Sequence, residues 1–541
     1  MKRSKILLQL IICLCFSLVL TAQPAIQWQN SYGGTLGDGL SQGNAQHDQI
    51  EPTPDGGFII GGYSYSNDGD VTGHHGLTST LDCWVVKLDS LGSIEWQRSY
   101  GGSEDENIQC IKPTSNGGYI FSANTNSIDG DVTGFNGGIF DTWVVKLDSI
   151  GNIEWEQAVG GSSGDHGRSV CETYDGGFLL GTQTASNDSD VAGNHGGSDI
   201  WLVKFDAFGM MQWQKCIGGT ANDGAYTVRE TDDHGFVLAG ETSSTDGDFI
   251  GNIGSPLGSA FILKTDSTGN VEWFNTFGGS SLDFGREVYP TADGGYILGA
   301  STASGDLPGA NGSLDYYLVK VDSVGNLVWH NCYGGTQGEF FKSARPTSDG
   351  GFVLIGSAMS NDSDLTNNYG SGDVWILKLD AAGDIDWQRS YGGSENDDGT
   401  SIVQTSDGGF IVGAESHSND FDVSGHHGAL SEPDFWVMKL GSFTTKVSEP
   451  EDKALSLIVS PNPAQSSALI TFTLKHSEFI SLSLFDLQGR FISKLKDGIL
   501  PSGNHSFEWN IDNDDNVPNG IYFVRFNNGD KEQNVKLVVC R

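Results

Sequence analysis

Positive charge is scarce in this chain: 29 Lys and Arg stand against 69 Asp and Glu, a formal net charge of −40 at pH 7. So acidic a surface repels phosphate backbones and anionic lipid heads, so nucleic acid is excluded as a partner. Long apolar runs are equally rare. Beyond residues 1–22 no stretch approaches the roughly 18 apolar residues of a membrane-spanning helix, so no transmembrane segment is expected. Residues 1–22 carry Lys2, Arg3 and Lys5, an apolar core from Ile6 to Leu20 and then Thr-Ala-Gln; they read as a secretory signal peptide whose loss leaves the chain more acidic still. Cysteine offers no framework. Cys83, Cys110, Cys171, Cys216, Cys332 and Cys540 follow that leader without a C-x-x-C spacing. Cys216 and Cys332 share a repeat position two units apart, too far for a disulfide whose Cα atoms must lie within about 7 Å, and buried free thiols are expected. No amphipathic helical stretch stands out, and P-loop, dinucleotide fingerprint, nucleophile elbow and His-Glu-x-x-His are absent.

What the chain has is glycine, 76 residues of it, and one phrase repeated. The phrase recurs at Trp28, Trp96, Trp155, Trp213, Trp273, Trp329 and Trp387, its clearest copies reading Trp96-Gln-Arg-Ser-Tyr-Gly-Gly and Trp387-Gln-Arg-Ser-Tyr-Gly-Gly. A fixed period of this length marks stacked units that cannot bury both sheet faces alone. Each unit reads as four antiparallel strands. The stretch from Ser401 is a hairpin turning at Ser406-Asp407-Gly408-Gly409, and the turn returns as Asp55-Gly56-Gly57, Asn116-Gly117-Gly118, Asp175-Gly176-Gly177, Asp233-His234-Gly235, Asp293-Gly294-Gly295 and Asp349-Gly350-Gly351. A long polar loop, an apolar run of the type Trp143-Val-Val-Lys-Leu and the Trp strand complete the unit.

The chain ends decide between an open solenoid and a closed ring. The first copy opens with a lone fourth strand, Ile26 to Gln29, and the last stops after its third, Phe435 to Leu440. Pairing the two repairs both defects and leaves no open edge. The expected fold class is all-β: a seven-bladed β-propeller over residues 23–443, then a linker at 444–454 and a small immunoglobulin-like β-sandwich over 455–541. The blade pattern resembles propellers of the quinoprotein-like type, a likeness that implies fold and no activity.

The last domain is announced by its motifs: Ser460-Pro461-Asn462-Pro463, the strand Ser481 to Asp486 leading to Gly489, Gly503 with Trp509, Pro518-Asn-Gly520-Ile-Tyr522, and the closing Val535 to Cys540. In order, they resemble a type A sorting domain of the type IX secretion system of Bacteroidota. That resemblance implies passage through the periplasm and outer membrane to the medium or the outer cell surface, with the secretion machinery as partner.

Candidate functional residues sit where the meander puts every long loop, on one face. One carboxylate set follows each Gly-Gly: Asp38, Glu106, Asp165, Asp223, Asp283, Glu339 and Asp397. They are candidate binding residues, and turn hydrogen bonding competes for them. A second set lies in the loops from strand two to three, taken as Asp70, Asp131, Asp190, Asp248, Asp306, Asp364 and Asp422, with Asp68, Asp188 and Asp362 clustered beside three of them. Hard oxygens at a tight bend suit Ca²⁺, making calcium the candidate cofactor. The fifth copy, Ala303-Ser304-Gly305-Asp306, lacks most such ligands. His74-His75 and His426-His427 break the repeat at neighbouring blades, where exposed, idle imidazoles compete with a metal site. Trp84, Trp143, Trp201, Trp375 and Trp436 read as core, and sugar stacking would fall to Phe135, Phe140, Phe284, Phe340, Phe341 and Tyr369. Seven-fold repetition provides no unique catalytic pair. The leading expectation is a non-catalytic module binding a glycan, protein or cation, with a polysaccharide-degrading glycosidase and a structural or adhesion protein as alternatives.

Overall fold

The computed structural model describes residues 24–40, 48–252, 257–365, 368–442, 457–474, 477–486, 490–511, 517–527 and 532–540. The expected signal peptide at 1–22 and linker at 444–454 lie outside the described residues, as does Gly489. The chain divides into two compact units, one through residue 443 and one from residue 444 onward.

The first unit is a seven-bladed β-propeller of antiparallel sheets. Blade one holds Asp38–Gly39 and Ile50–Pro52 as a split inner strand, then Phe58–Ser64, Asp82–Leu88 and Ile94–Tyr100. Blades two to six repeat the order, with inner strands Glu106–Pro113, Asp165–Glu172, Asp223–Glu230, Asp283–Pro290 and Glu339–Pro346. Blade seven takes three strands from the end of the unit, Asp397–Gln404, Phe410–Ser416 and Asp434–Leu440, and its fourth, Ile26–Tyr32, from the beginning. The register of that closing pair runs from Ile26 opposite Leu440 to Tyr32 opposite Phe435. Inner strands of successive blades touch in an unbroken series that returns from blade seven to Ile50–Pro52, which closes the ring by a second route.

Two aromatic positions per blade hold the sheets together. Trp84, Trp143, Trp201, Trp375 and Trp436 on the third strands are fully buried, and the indole N–H of Trp436 donates to Gln29 Oε1 at 2.8 Å across the closing pair. Trp84 meets Phe435 of blade seven with ring centroids 4.5 Å apart. The phrase tryptophan reaches the next blade, as Trp28 does Phe58 and Trp96 does Tyr119. At the opposite face each short turn is locked by a buried third-strand lysine: Lys87 Nζ lies 2.9 Å from Asp55 and 2.8 Å from Glu95. The six cysteines among the described residues are free, with Cys83, Cys110, Cys216 and Cys332 buried and Cys540 exposed.

The second unit is a small β-sandwich. Ile458–Ser460, Ser467–Leu474 and Gly503–Asn510 form one sheet; Phe491–Leu500, Glu478–Asp486, Gly520–Asn527 and Glu532–Val539 form the other. Ile470, Leu482, Leu484, Val524, Phe526 and Leu537 fill the space between them. The sorting motifs secure its ends. Asn462 receives Val538 N–H at 2.8 Å and donates to Lys536 C=O at 2.7 Å, while Tyr522 Oη donates to Pro518 C=O at 2.8 Å. Pro461 and Pro463 flank that asparagine, and Gly503, at φ +129°, adopts a backbone that side chains disfavour.

Removing the indole from the closing pair in Trp436→Ala should cost about 3–5 kcal/mol in denaturant unfolding. Deleting residues 24–32 should lower the melting temperature further, since it also exposes an open edge; unchanged melting would contradict ring closure.

Candidate functional site

The carboxylates after each Gly-Gly are not at the surface. Asp38, Glu106, Asp165, Asp223, Asp283, Glu339 and Asp397 are all fully buried. Each binds the long-loop face together from below: Asp165 Oδ2 accepts Gly161 N–H at 2.7 Å and Ser186 Oγ–H at 2.8 Å, and Oδ1 accepts the Thr184 hydroxyl. Glu106 does the same with Gly102 N–H at 2.8 Å and the Thr125 hydroxyl at 2.6 Å. In blade six Ala358 replaces the hydroxyl partner, and Glu339 Oε1 accepts Ser360 N–H instead. A large ligand resting on the face would therefore not reach these seven side chains, which lie beneath it. The partner Ser and Thr hydroxyls also repeat, the signal that could have foretold the burial.

The second set separates into two roles. Asp68, Asp188 and Asp362 are exposed and cap the loop of the preceding phrase, as Asp188 does with Ser162 N–H at 2.8 Å and Oγ–H at 2.6 Å. Those bonds hold their carboxyls below the usual aspartate range. Asp306 belongs here too, since it accepts Ser280 N–H at 3.0 Å. The alignment of Asp306 with Asp70 is thereby corrected by two residues. Asp70, Asp131, Asp190, Asp248, Asp364 and Asp422 point instead at the first glycine of the phrase; Asp364 accepts Gly334 N–H at 3.1 Å and Asp248 accepts Gly218 N–H at 3.1 Å.

A third set went unnoticed in the sequence because it looks like the polar start of an apolar strand. Asp82, Asp141, Asp199, Asp315, Asp373 and Asp434 open the third strands and are 0–1 % exposed. Their Oδ2 atoms accept loop N–H groups, from His75 at 2.7 Å, Asn136 at 2.5 Å, His195 at 2.9 Å, Asn311 at 2.8 Å, Tyr369 at 2.6 Å and His427 at 2.6 Å. The histidine pairs are accordingly neither exposed together nor idle. The His74 and His426 side chains are 2 % and 1 % exposed, and His75 and His427 Nδ1 lie 2.8 and 2.9 Å from Asp82 and Asp434. Among the described residues no three His, Cys, Asp or Glu side chains already enclose a metal position.

Burial pushes the Asp141 and Asp373 carboxyls up to about 7 and Asp397 to about 6. Asp373 faces Asp397 and Asp422, and Arg389 stands 3.9 Å from Asp422. The folded state prefers these groups neutral, so their contribution is full below the ordinary aspartate value of 3.8 and is lost as pH rises through 6–7. In EDTA the melting temperature should therefore rise as pH falls from about 8 to about 5, read by circular dichroism.

The repeat breaks at the ring's centre, where one charged network spans the blades near the short-turn face. Asp48, fully buried, meets Lys112 at 2.7 Å, Arg229 at 2.9 Å and Arg345. Arg345 also bonds Glu51 at 2.7 Å, Arg229 bonds Glu287 at 2.9 Å, and the Arg229 guanidinium stacks 3.6 Å over Tyr289. Burial would raise the Glu51 carboxyl, and Arg345 and Lys112 outweigh it to hold it below its ordinary value. Removing one partner leaves buried charge uncompensated, so Arg345→Met should lower stability by about 3–5 kcal/mol in denaturant titration.

Nearer the long-loop face, the inner strands carry unique side chains in place of repeated ones. Arg168, Tyr226, Arg286 and Lys342 follow around blades three to six. The Arg286 and Arg168 guanidiniums lie 4.5 and 5.2 Å from the Tyr226 ring, and Arg286 also approaches Phe284 at 5.4 Å. The Nε of both arginines is buried without a hydrogen-bond partner. Burial lowers the Arg168 and Lys342 pKa values from their ordinary range. Around this group stand Phe284, Phe340, His166 and Asp398, all half-buried on the same strands. Of the other sugar-stacking candidates, Phe341 is buried, Phe140 packs against His166 at 5.9 Å, Tyr369 stacks on the exposed Phe421 at 5.3 Å, and Phe135 is half-buried.

Comparison with known proteins assigns the C-terminal unit. Residues 459–540 match the family described as the secretion system C-terminal sorting domain. The chain is thus type IX cargo, delivered to the cell surface or the extracellular space, and no described helix is long and apolar enough to cross a membrane. A curated relative, the regulatory protein FlaEY of Caulobacter vibrioides, is 28% identical over 229 residues, 40% of this chain and 22% of that protein; the match thus spans about a fifth of the relative's length. Solved structures with a similar course include puromycin hydrolase (11% identity, 82% of this chain and 62% of that one, TM-score 0.40) and NanB sialidase of Streptococcus pneumoniae (11%, 75% and 71%, TM-score 0.35). The luciferin-regenerating enzyme is also similar (9%, 78% and 96%, TM-score 0.34).

Proposed function

We propose that the propeller is a non-catalytic recognition module that binds an acidic glycan, carboxylated or sulfated, at the centre of its long-loop face. The observation that carries this reading is the Arg168–Tyr226–Arg286 stack, whose two Nε donors lack partners in a chain of net charge −40. Both arginines are only half-buried, so they remain open to an incoming oxyanion, which a planar fork grips in two places. Phe284 and Phe340 beside them offer apolar faces to a sugar ring. The charged network around Asp48 fills the other end of the same axis, so a polymer would be held at the mouth and not threaded. Export to the cell surface or the extracellular space would bring that mouth into contact with such polymers.

Binding should be seen with polygalacturonate or a sulfated polysaccharide in affinity electrophoresis, should weaken as salt rises, and should be absent with a neutral glucan. Arg168→Gln with Arg286→Gln should cut affinity at least about tenfold while leaving the melting temperature within a few degrees. Equal binding of neutral glucans, or undiminished binding by the double variant, would refute the reading.

A further inference from the structure

Six of the seven blade junctions repeat one feature that hydrogen bonding does not explain. Asp82, Asp141, Asp199, Asp315, Asp373 and Asp434 each bury an Oδ1 atom with no hydrogen-bond partner. A buried carboxylate oxygen without a partner is costly, and six at one repeated position are not accidents of packing. Five of the six orphans face a second buried carboxylate across the first glycine of the phrase, and the sixth, Asp199, has Asp223 as a charged neighbour. A Cβ built on Gly160 would stand 2.6 Å from Asp141 Oδ1 and 2.8 Å from Asp165 Oδ2; on Gly392, 2.6 Å from Asp373 Oδ1 and 2.7 Å from Asp397 Oδ2; on Gly33, 2.8 Å from both Asp434 Oδ1 and Asp38 Oδ2. The two oxygens are therefore no farther apart than those paired distances together, comparable to the span a calcium ion bridges with bonds of about 2.4 Å. A third carboxylate approaches the same glycine through its N–H, as Asp190 Oδ2 does Gly160 at 3.3 Å.

The seventh junction supplies the control. There Ser259 opens the third strand in place of aspartate, pairing with Thr242 as Asp199 pairs with Thr184. Pro308 stands two residues after Asp306, where Asp70 follows Asp68 and Asp190 follows Asp188. The orphan aspartate and the loop aspartate are thus lost together, whereas Asp283, which latches the loop through Gly279 N–H at 2.9 Å, is kept. Latching does not need the lost pair, so the pair has a task of its own.

We infer that each of the six complete junctions is a Ca²⁺ site, formed by the orphan aspartate of one blade, the latch carboxylate after Gly-Gly and the loop aspartate of the next. The assignment moves calcium from the Asp68, Asp188 and Asp362 bends to the seam between blades: Asp82, Glu106 and Asp131; Asp141, Asp165 and Asp190; Asp199, Asp223 and Asp248; Asp315, Glu339 and Asp364; Asp373, Asp397 and Asp422; Asp434, Asp38 and Asp70. All-carboxylate oxygen donors on flexible loops suit Ca²⁺ better than the rigid octahedron of Mg²⁺. The ions would neutralise the seams of a strongly acidic ring.

The test is the calcium content of the secreted chain after dialysis, by elemental analysis, alongside melting with EDTA and with millimolar Ca²⁺. About six ions per chain, one for each complete junction, and a rise in melting temperature set by concentration over Kd are expected. Asp373→Asn with Asp422→Asn should remove one ion, and Ser259→Asp with Pro308→Asp should add one. Because the second variant gains a site, the inference stays testable if the first fails to fold. No retained calcium, a melt indifferent to Ca²⁺, or a stoichiometry that neither variant moves would overturn it.

Discussion

The pairing of Ile26–Tyr32 with Phe435–Leu440 is the constraint on which the rest depends. A four-stranded blade exposes apolar surface on both faces, and only a complete circle gives every blade two neighbours. Because the last sheet borrows its strand from the beginning of the unit, the ring closes through backbone hydrogen bonds and not through side-chain packing alone. Trp436, Gln29, Trp84 and Phe435 then bind the closing blade to its neighbour.

Closure dictates how acid is stored. The junctions share one geometry, so a buried carboxylate after Gly-Gly recurs in all seven, and the long-loop face is held from beneath by acids away from solvent. The exposed surface is left free to differ. What differs most is the axis, where seven inner strands converge and a side chain from one blade meets those of three others. Asp48 ties Lys112, Arg229 and Arg345 together there, and the Arg168–Tyr226–Arg286 stack lies on the same strands closer to the long loops. A symmetric wall around an asymmetric centre divides stability from recognition. The sorting unit, with Asn462 clamped to the last strand, takes the finished module outside the cell.

How much could be read beforehand follows from which interactions are local. The turns at Asp-Gly-Gly, the alternation of strand three and the spacing of tryptophans depend on neighbours in sequence, so blade number and strand order were legible. The sorting domain was legible from ordered motifs. The candidate site was not. Asp38 and its equivalents were placed on the correct face and at the wrong depth, because burial depends on a serine and a threonine about twenty to thirty residues further on. Asp306 was aligned with the wrong partners, because only the bond to Ser280 distinguishes the two loop aspartates. Asp82 and its kin resembled ordinary strand openings, and His74 and His75 resembled a free loop until the carboxylate beneath them was located.

The sequence by itself determined a secreted, acidic, seven-fold β architecture with a C-terminal address, because those properties rest on composition, period and local turn chemistry. Only the tertiary structure decided which acids are buried, which oxygens are left without partners and which cations gather at the axis. Those depend on side chains from different blades meeting in space, at separations such as the 181 residues between Asp48 and Arg229, and no local pattern records such a meeting.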